Sequence, residues 1–286
     1  MTTILTILIS GVILLIFIRI YLAFPRRYFR ILTTTFPKYD YDDVSTVPEL
    51  HEPLVLEGGH ECFIVVTDPV GHPKTGESAC ILAQETIKEF YHNQEVGILP
   101  KEFLKQACFR AHRKISERIN FTTGGCSIAM VYMDRNQLYW ASSGNIGIYL
   151  CNKELEQLNQ MDLYKYKLNE CVLQRKIRTG EVLSNSLKNE LTAYLGHENL
   201  RQIELCDDVL PLKRSDHLFI ATKKVYETLS PLELENIIKK GVKGSEKIKR
   251  LQTAFWNQVK ADLQARESVR GQMAAVLVSR FKKHKL

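Results

Sequence analysis

The sequence lacks the cysteine spacing that marks disulfide frameworks and zinc sites. Its seven cysteines are an odd number, they are spread thinly along the chain, and no CxxC pair occurs among them. Internal repeats, low-complexity segments and long runs of one charge are absent as well. The excess of 39 basic over 32 acidic residues is small, so we expect no nucleic-acid partner.

Proline and glycine are also scarce, with nine and 15 residues in a chain of 286. Hydrophobic residues make up 45% and charged residues 25% of the sequence, which is the composition of a globular protein. A largely disordered chain is therefore excluded. The length allows one large domain or two small ones, with room for a sizeable core.

An apolar run of 21 residues, Ile4–Phe24, lies near the start of the chain. As a helix it would be about 30 Å long, which is the thickness of a bilayer core. Arg19 is the only charge in the run, and its long side chain can extend to the membrane interface. The arginines and aromatic residues that follow, Arg26 to Tyr28 among them, resemble an interfacial belt.

Residues 1–30 are therefore predicted to be an N-terminal transmembrane anchor with a basic flank. A cleaved signal peptide is an alternative, although the first three residues carry no basic side chain and no small-residue cleavage site follows the run. A buried core helix is a second alternative. The positive flank and the unpaired cysteines predict a single-pass membrane protein with a cytoplasmic C-terminal domain.

The rest of the chain is predicted to be a tether and one domain. Residues 31–52 read as a tether, because Thr33–Thr35, Pro37 and Pro48 lie there without an apolar period. In residues 53–286 strands and helices alternate, which predicts an α+β layered architecture. The predicted strands are 62–67, 127–133, 138–142, 146–151, 217–222 and 273–281, and the predicted helices lie near 79–90 and 104–119 and begin at Ser230 and Ser245.

Five local patterns in this domain carry a family resemblance. They are Phe63–His72, Gly125–Ala129, Leu138–Tyr149, Leu191–Gly196 and Ser215–Thr222. In this order and spacing they resemble the motifs of the metal-dependent PPM-type (type 2C) protein phosphatases. The resemblance covers residues 54–281 and implies an α-β-β-α layered sandwich of two antiparallel sheets flanked by helices.

The resemblance also implies a reaction, in which water activated by two Mg²⁺ or Mn²⁺ ions hydrolyses phosphoserine and phosphothreonine. Two neighbouring dications need several carboxylate ligands. Asp68 stands at the family's first Asp-Gly position, followed by Pro69 in place of Gly and by Gly71. The resemblance therefore leaves Asp68 as a vestigial metal ligand.

The other ligand positions are substituted. Lys223 and Lys224 replace the Asp-Gly of the family's Ser-Asp-Gly motif, and the dipeptide Gly271–Gln272 replaces its late Asp-Asn. Asn145 replaces the Asp of the Gly-Asp-Ser-Arg turn. No early acidic motif is found, and no catalytic residue is assigned.

Lys223 decides the electrostatic argument. A unit charge pair about 4 Å apart is worth about 4 kcal/mol at an effective dielectric of about 20, and a dication doubles this figure. An ammonium in place of a carboxylate would therefore expel the metal, and we expect no cofactor. We hypothesise that Lys223 reaches toward Asp68 as an internal counter-ion.

The favoured interpretation is a membrane-anchored, catalytically inactive phosphatase-like protein, a pseudophosphatase, which binds a protein partner at the cytoplasmic membrane face. An active serine/threonine phosphatase with a non-standard Mn²⁺ or Mg²⁺ site is the first alternative. A structural tether in a membrane complex is the second. Cys80 and Cys126 are expected to be core thiols, and the loop Pro69–Gly76 is expected to be a plain strand–helix turn rather than an anion site.

Overall fold

A computed structural model of the chain describes residues 29–36, 52–58, 60–94, 97–120, 122–198, 200–213, 215–239, 246–254, 257 and 273–280. The predicted anchor at Ile4–Phe24 lies outside these residues. Within them, no helix is both long enough and apolar enough to cross a bilayer. The anchor therefore stays a prediction from the sequence.

Two antiparallel sheets form the centre of the fold. The first has the strand order β1-β11-β10-β6-β7 and the second the order β2-β3-β4-β5-β8, with β9 also paired to β5. The first sheet consists of β1 Phe29–Phe36, β6 Gly147–Cys151, β7 Leu155–Gln157, β10 His217–Ala221 and β11 Met273–Arg280. The second consists of β2 Leu54–Gly58, β3 Glu61–Gly71, β4 Gly124–Asp134, β5 Gln137–Ser143, β8 Glu204–Leu205 and β9 Leu210–Pro211.

Six helices surround the sheets in the described part of the chain, together with a helical segment at 246–254. They are α1 Pro73–Asn93, α2 Pro100–Arg118, α3 Tyr164–Leu173, α4 Thr179–Ser184, α5 Lys223–Thr228 and α6 Pro231–Lys239. The predicted start at Ser230 is confirmed, because the Glu233 carboxylate accepts the Ser230 N–H at 2.8 Å and the Ser230 hydroxyl accepts the Glu233 N–H at 3.3 Å. This capping box satisfies two N–H groups that the helix itself cannot.

Three buried clusters show how the layers pack. One joins α1 and α2 to the second sheet, and another joins α5, α6 and the 246–254 segment to the first sheet. The third lies between the sheets, where Ile64 and Val131 of one sheet meet residues such as Ile148, Ile220 and Val276 of the other. The predicted α+β architecture with two antiparallel sheets flanked by helices is thereby confirmed.

The predicted tether is wrong at its start, because β1 occupies Phe29–Phe36 and pairs along its length with β11. As an edge strand β1 is only partly buried, since Phe29 and Thr34, which point to opposite faces of the sheet, are buried while Thr33 is exposed. β-branched threonines suit such a half-buried strand. The threonines at 33–35 therefore belong to a strand and do not mark a break in structure.

Candidate functional site

The candidate site lies between the two sheets, at the end of β3 that precedes α1. Side chains alternate along a strand, so Ile64, Val66 and Asp68 share the face that looks toward the first sheet. The first two belong to the apolar cluster between the sheets, and Asp68 extends this line where the apolar packing ends. Ser127 of β4 stands directly opposite Asp68 in the strand register.

Three buried polar atoms near this end have no hydrogen-bond partner among the described residues. They are Asp68 Oδ1, Ser127 Oγ and Asn145 Oδ1. Their residues are at most 7% exposed. Buried polar atoms in folded proteins are nearly always paired, so these atoms define an unusual polar pocket in the packing between the sheets.

The helix α5, which follows β10 of the first sheet, also lies near Asp68. Lys223 begins this helix directly after β10, and its Nζ lies 3.5 Å from Glu227 Oε1, one turn further along. The Lys223 ammonium also acts on Asp68 and lowers the pKa of that carboxyl. In the described part of the chain no ion pair within 4.0 Å joins the two, so Lys223 pairs with Glu227 and reaches Asp68 only through space.

Burial dominates the acidity of Asp68. Loss of solvent raises the pKa of its carboxyl from 3.8 to about 7, while Lys223 opposes this rise and Glu227 adds to it. The ammonium therefore offsets only part of the cost of a buried charge. The effect of Lys223 on Asp68 has the direction that the counter-ion hypothesis requires, although the two do not form an ion pair within 4.0 Å.

The described residues do not fit a centre of two divalent ions. Asp68 and Glu227 offer two carboxylates, and the ammonium of Lys223 lies beside them. One net negative charge at most would face two dications, which repel each other strongly and need several carboxylates. Neutral oxygens of Ser127 and Asn145 add ligand atoms but no charge.

The remaining predicted positions have structural roles or lie outside the described residues. Pro69 and Gly71 continue β3, opposite Cys126 and Gly124. Gly71 has a φ of +82°, and a Cβ there would lie 2.7 Å from the Gly124 Cα, so only glycine fits. Gly271 and Gln272 precede β11 and are not described.

The predicted loop at Pro69–Gly76 is shorter than expected, since β3 runs through Gly71 and α1 begins at Pro73. His72 alone joins them, and its carbonyl accepts the Gly76 N–H at 2.8 Å. A Cβ on Gly76 would lie 2.8 Å from the Pro69 Cβ, so the helix packs directly on the strand. The expectation of a plain strand–helix turn is consistent with this geometry.

Asn145 and Lys224 lie in the two elements that Tyr226 connects, the β5–β6 turn and α5. Asn145 lies in the β5–β6 turn, and its backbone carbonyl accepts a hydrogen bond from the Tyr226 hydroxyl at 2.7 Å. Lys224 is the second residue of α5, and its carbonyl accepts the Thr228 hydroxyl at 2.7 Å. Sequence reasoning missed two residues near the pocket, Tyr226 and Glu227. They follow Lys223 by three and four residues, which in a helix puts them beside it, and this spacing was the signal that could have found them.

The core thiols are confirmed. Cys80 and Cys126 are fully buried, and their sulfur atoms lie 3.4 Å apart between α1 and β4. Burial raises the pKa of the Cys80 thiol, which keeps it protonated and unreactive.

A second group of possible metal ligands lies elsewhere. His60 Nε2 is 3.4 Å from Asp134 Oδ1 and 3.9 Å from Glu61 Oε1, where β3 begins beside the end of β4. This group is partly exposed, and seven residues of strand separate Glu61 from Asp68, which is about 23 Å. It is independent of the pocket at Asp68.

Comparison with known proteins gives a consistent result at the level of structure. No model of a protein family and no sequence of a characterised protein matches the chain. A serine/threonine phosphatase of S. agalactiae superposes with a TM-score of 0.69, at 17% identity, over 88% of this chain and 99% of that one. Stp1 of Staphylococcus aureus gives 0.64, at 15% identity, over 89% and 95%.

Two further structures show the same similarity. PstP/Ppp of Mycobacterium tuberculosis gives a TM-score of 0.62 at 17% identity, over 88% of this chain and 98% of that one. PppA, described as a key regulatory component of T6SS in Pseudomonas aeruginosa, gives 0.63 at 12% identity, over 89% and 98%. The catalytic domain of PstP has also been solved with two manganese ions. This chain therefore has the fold of the PPM-type serine/threonine phosphatases.

Proposed function

We propose that the chain is a membrane-anchored, catalytically inactive phosphatase-like protein that binds a protein partner at the cytoplasmic membrane face. The observation that carries this proposal is the pocket at Asp68. It combines a buried carboxylate, a pKa of about 7 and a nearby ammonium. A single buried carboxylate beside an ammonium supplies too little negative charge to hold two dications.

Two features of the chain support the location. The run Ile4–Phe24 has the length of a membrane span, and arginines follow it.

The description of PppA as a regulatory component gives a precedent, in a protein of this fold, for a role in regulation. A binding role needs only the fold and a surface, and both are independent of the metal ligands.

The test is metal binding and turnover by the full chain in detergent. Isothermal titration with Mn²⁺ and hydrolysis of an aryl phosphate under saturating Mn²⁺ are measured on the wild-type chain and on Asp68→Asn. We expect no turnover above background and no heat that depends on Asp68. Turnover that disappears in Asp68→Asn would overturn the proposal and favour the active phosphatase.

Two variants make this test specific. Lys223→Asp restores a carboxylate at the substituted position, and we expect its Mn²⁺ affinity to rise by about tenfold or more because repulsion is exchanged for attraction. His60→Asn removes the other ligand group, so that Mn²⁺ bound at His60, Glu61 and Asp134 is not mistaken for binding at the pocket. Unchanged affinity in Lys223→Asp would show that Lys223 does not control the site.

A further inference from the structure

A second surface on the protein has the chemistry of a binding site. The helical insertion, residues 164–190, lies between β7 and β8 and contains α3 and α4. Three of its leucines are exposed, with Leu173 at 83%, Leu183 at 69% and Leu187 at 56%. Single exposed leucines are ordinary on protein surfaces, but here three lie within 15 residues, so the insertion leaves an unusual amount of apolar side chain uncovered.

Packing within the insertion does not explain these leucines. Among residues 164–190, only Leu168 and Val182 are buried. The insertion is tied to the body of the domain at its base, where Leu163 pairs with Leu191 and the Thr192 N–H donates to the Asp162 carbonyl at 2.8 Å. The exposed leucines therefore lie on the part that extends from this base.

Positive charge surrounds the leucines. The stretch 173–188 contains four basic residues and one acidic residue, and these are Arg175, Lys176, Arg178, Lys188 and Glu181. The acidic one is already engaged, because the Glu181 carboxylate accepts the Arg178 N–H at 3.2 Å. The Lys188 ammonium donates to the Leu183 carbonyl at 2.6 Å, which holds a cation beside an exposed leucine.

The position of the insertion favours a partner in the aqueous phase over the bilayer. The Asp162 N–H donates to the Gly144 carbonyl at 2.8 Å, which fixes the base of the insertion near the Gly147 end of β6. The strand register puts Phe29, the first residue of β1, at the opposite end of this sheet. Five residue steps of strand, from Phe29 to Thr34 in the same row as Gly147, separate the two ends by about 17 Å.

The predicted anchor approaches from the Phe29 end. Five residue steps join Phe24 to Phe29, and a fully extended chain covers at most about 18 Å over this length. A membrane-embedded anchor would therefore hold the β1 start near the bilayer. The insertion belongs to the other end of the sheet.

We propose that the helical insertion docks an acidic segment of a partner protein, one that presents apolar side chains together with its carboxylates. The leucines supply the apolar contact area, and the four cations select negative charge and suppress basic partners. This inference rests on the proposed function, for which it names the binding surface and the chemistry of the partner.

The test uses a fluorescently labelled peptide in which glutamates and leucines alternate at helical spacing, with a lysine–leucine peptide as the opposite-charge probe. Binding to the full chain in neutral-lipid nanodiscs is measured by anisotropy. We expect the acidic peptide to bind and the basic one not to bind. The triple variant Leu173→Ser/Leu183→Ser/Leu187→Ser, and separately Arg175→Glu/Lys176→Glu/Arg178→Glu, should each lose about tenfold or more in affinity.

A matched control uses two leucines that are equally exposed elsewhere, Leu99 at 73% and Leu232 at 68%. Their double replacement by serine should leave the affinity within about twofold. Equal losses in the control, or no binding of the acidic peptide, would overturn the proposal. So would leucine-dependent binding to phosphatidylserine vesicles in place of the peptide, because the surface would then be a lipid contact.

The outcomes also separate this inference from the proposed function. The peptide assay does not measure hydrolysis or metal. If the chain hydrolyses phosphate in an Asp68-dependent way but the insertion still binds the acidic peptide, the proposed function fails and the docking surface stands. If the peptide does not bind and no turnover occurs, the docking surface fails and an inactive module remains supported.

Discussion

Two neighbouring regions at the start of β4 are built in opposite ways. On the helix side, Cys126 and Leu195 exchange two backbone hydrogen bonds of 3.0 and 2.8 Å, and the Gly196 N–H donates to His112 Nδ1 at 3.1 Å. On the side between the sheets, the adjacent Ser127 and the facing Asp68 each keep a buried polar atom without a partner. Cys126, whose backbone groups are hydrogen-bonded, and Ser127, whose hydroxyl has no partner among the described residues, are therefore adjacent in the chain.

The difference shows which part of a family motif is about packing and which part is about chemistry. The Leu191–Gly196 pattern is present because its turn packs against β4 and α2, and a Cβ on Gly125 would lie 2.3 Å from the Leu195 carbonyl oxygen. The charged positions of the resemblance are the ones that are substituted, at Asn145 and Lys223. Fold and reaction depend on different residues of the same motifs.

A substitution on the packed side, at Gly125, should change the free energy of unfolding more than a substitution between the sheets. Gly125→Ala forces a methyl group into the Leu195 carbonyl and the Tyr194 ring, both of which are within 2.6 Å of the new carbon. We expect the free energy of unfolding to fall by about 3 kcal/mol, as for severe overpacking. Urea denaturation of the full chain in detergent, followed by tryptophan fluorescence, measures the change.

Gly180→Ala is the matched control, because a Cβ at Gly180 in α4 would meet nothing within 4 Å. Alanine is the better helix former, so this variant should gain up to about 1 kcal/mol. If both glycine variants lost stability equally, the effect would come from backbone freedom, and the close contact at Leu195 would not explain it.

On the side between the sheets, a substitution at Asp68 should raise the free energy of unfolding. Asp68→Asn keeps the shape of the side chain and removes a buried charge that Lys223 offsets only in part. We expect the variant to be more stable than the wild-type chain by about 2 kcal/mol at a pH of about 8, where the wild-type carboxylate is mostly ionised. The same urea experiment measures it.

Asp216 is the control, since it is as buried as Asp68, at 6% and 7% exposed, but has partners. Its carboxylate accepts the Lys213 N–H at 2.8 Å and the Ser215 hydroxyl at 3.4 Å. Asp216→Asn should therefore lose about 1 kcal/mol. A loss of stability in both variants would mean that Asp68 has a partner, and the comparison between the two sides would fail.

The sequence alone predicts the strands and helices whose hydrophobic residues recur with a strong period. The strand at Cys62–Thr67, the helices with apolar faces and the capping box at Ser230 are all present in the structure. Their signals are local, because each depends on residues within one or two turns. The strand β1 was missed because its stability depends on β11, more than 230 residues away in the chain.

For the site, the sequence predicts the change of charge but not the arrangement of the side chains around it. The exchange of carboxylate for ammonium at Lys223 could be read directly from the aligned motif. The choice of Glu227 as its ion-pair partner could not, because it depends on where α5 begins. The orphan atoms of Ser127 and Asn145 required the register of three strands and a turn, which no local pattern encodes.

The satisfied region also predicts a dependence on pH. Burial and the nearby His197 lower the pKa of His112 from 6.5, so folding favours the neutral ring that accepts the Gly196 N–H. For a group whose folded pKa is lowered, the stabilisation is present above the unfolded pKa and is lost as pH falls through the folded value. We expect the His112 contribution to stability to fall by about 1 kcal/mol from a pH of about 7 to about 5, while Asp68, whose raised pKa lets the folded state take up a proton in this range, contributes in the opposite direction.

His112→Asn offers an acceptor in a similar place and cannot gain a proton in this range. Between these two pH values its stability should therefore change more favourably than that of the wild-type chain, by the same amount of about 1 kcal/mol. His217, whose pKa is also lowered by burial, contributes a separate part that His217→Asn removes. A wild-type slope in His112→Asn would assign the acid sensitivity to other groups.

The smallest effect concerns Lys223, and it tests whether the ammonium serves the buried pocket at all. Two ion pairs in the described part of the chain place the cation four residues before the carboxylate, Lys223–Glu227 at 3.5 Å and the more exposed Arg113–Glu117 at 2.9 Å. Pairs of this kind contribute about 0.3–0.5 kcal/mol each, so Arg113→Ala measures the helix term alone.

Lys223→Ala should cost about 0.5 kcal/mol more than Arg113→Ala, because it also removes the charge that opposes the buried Asp68 carboxylate. In an Asp68→Asn background this additional cost should vanish, since no charge remains to be offset. The double-mutant cycle isolates the coupling between the two residues. A coupling of zero would mean that Lys223 serves Glu227 only, and that the ammonium at this position excludes metal without stabilising the carboxylate beside it.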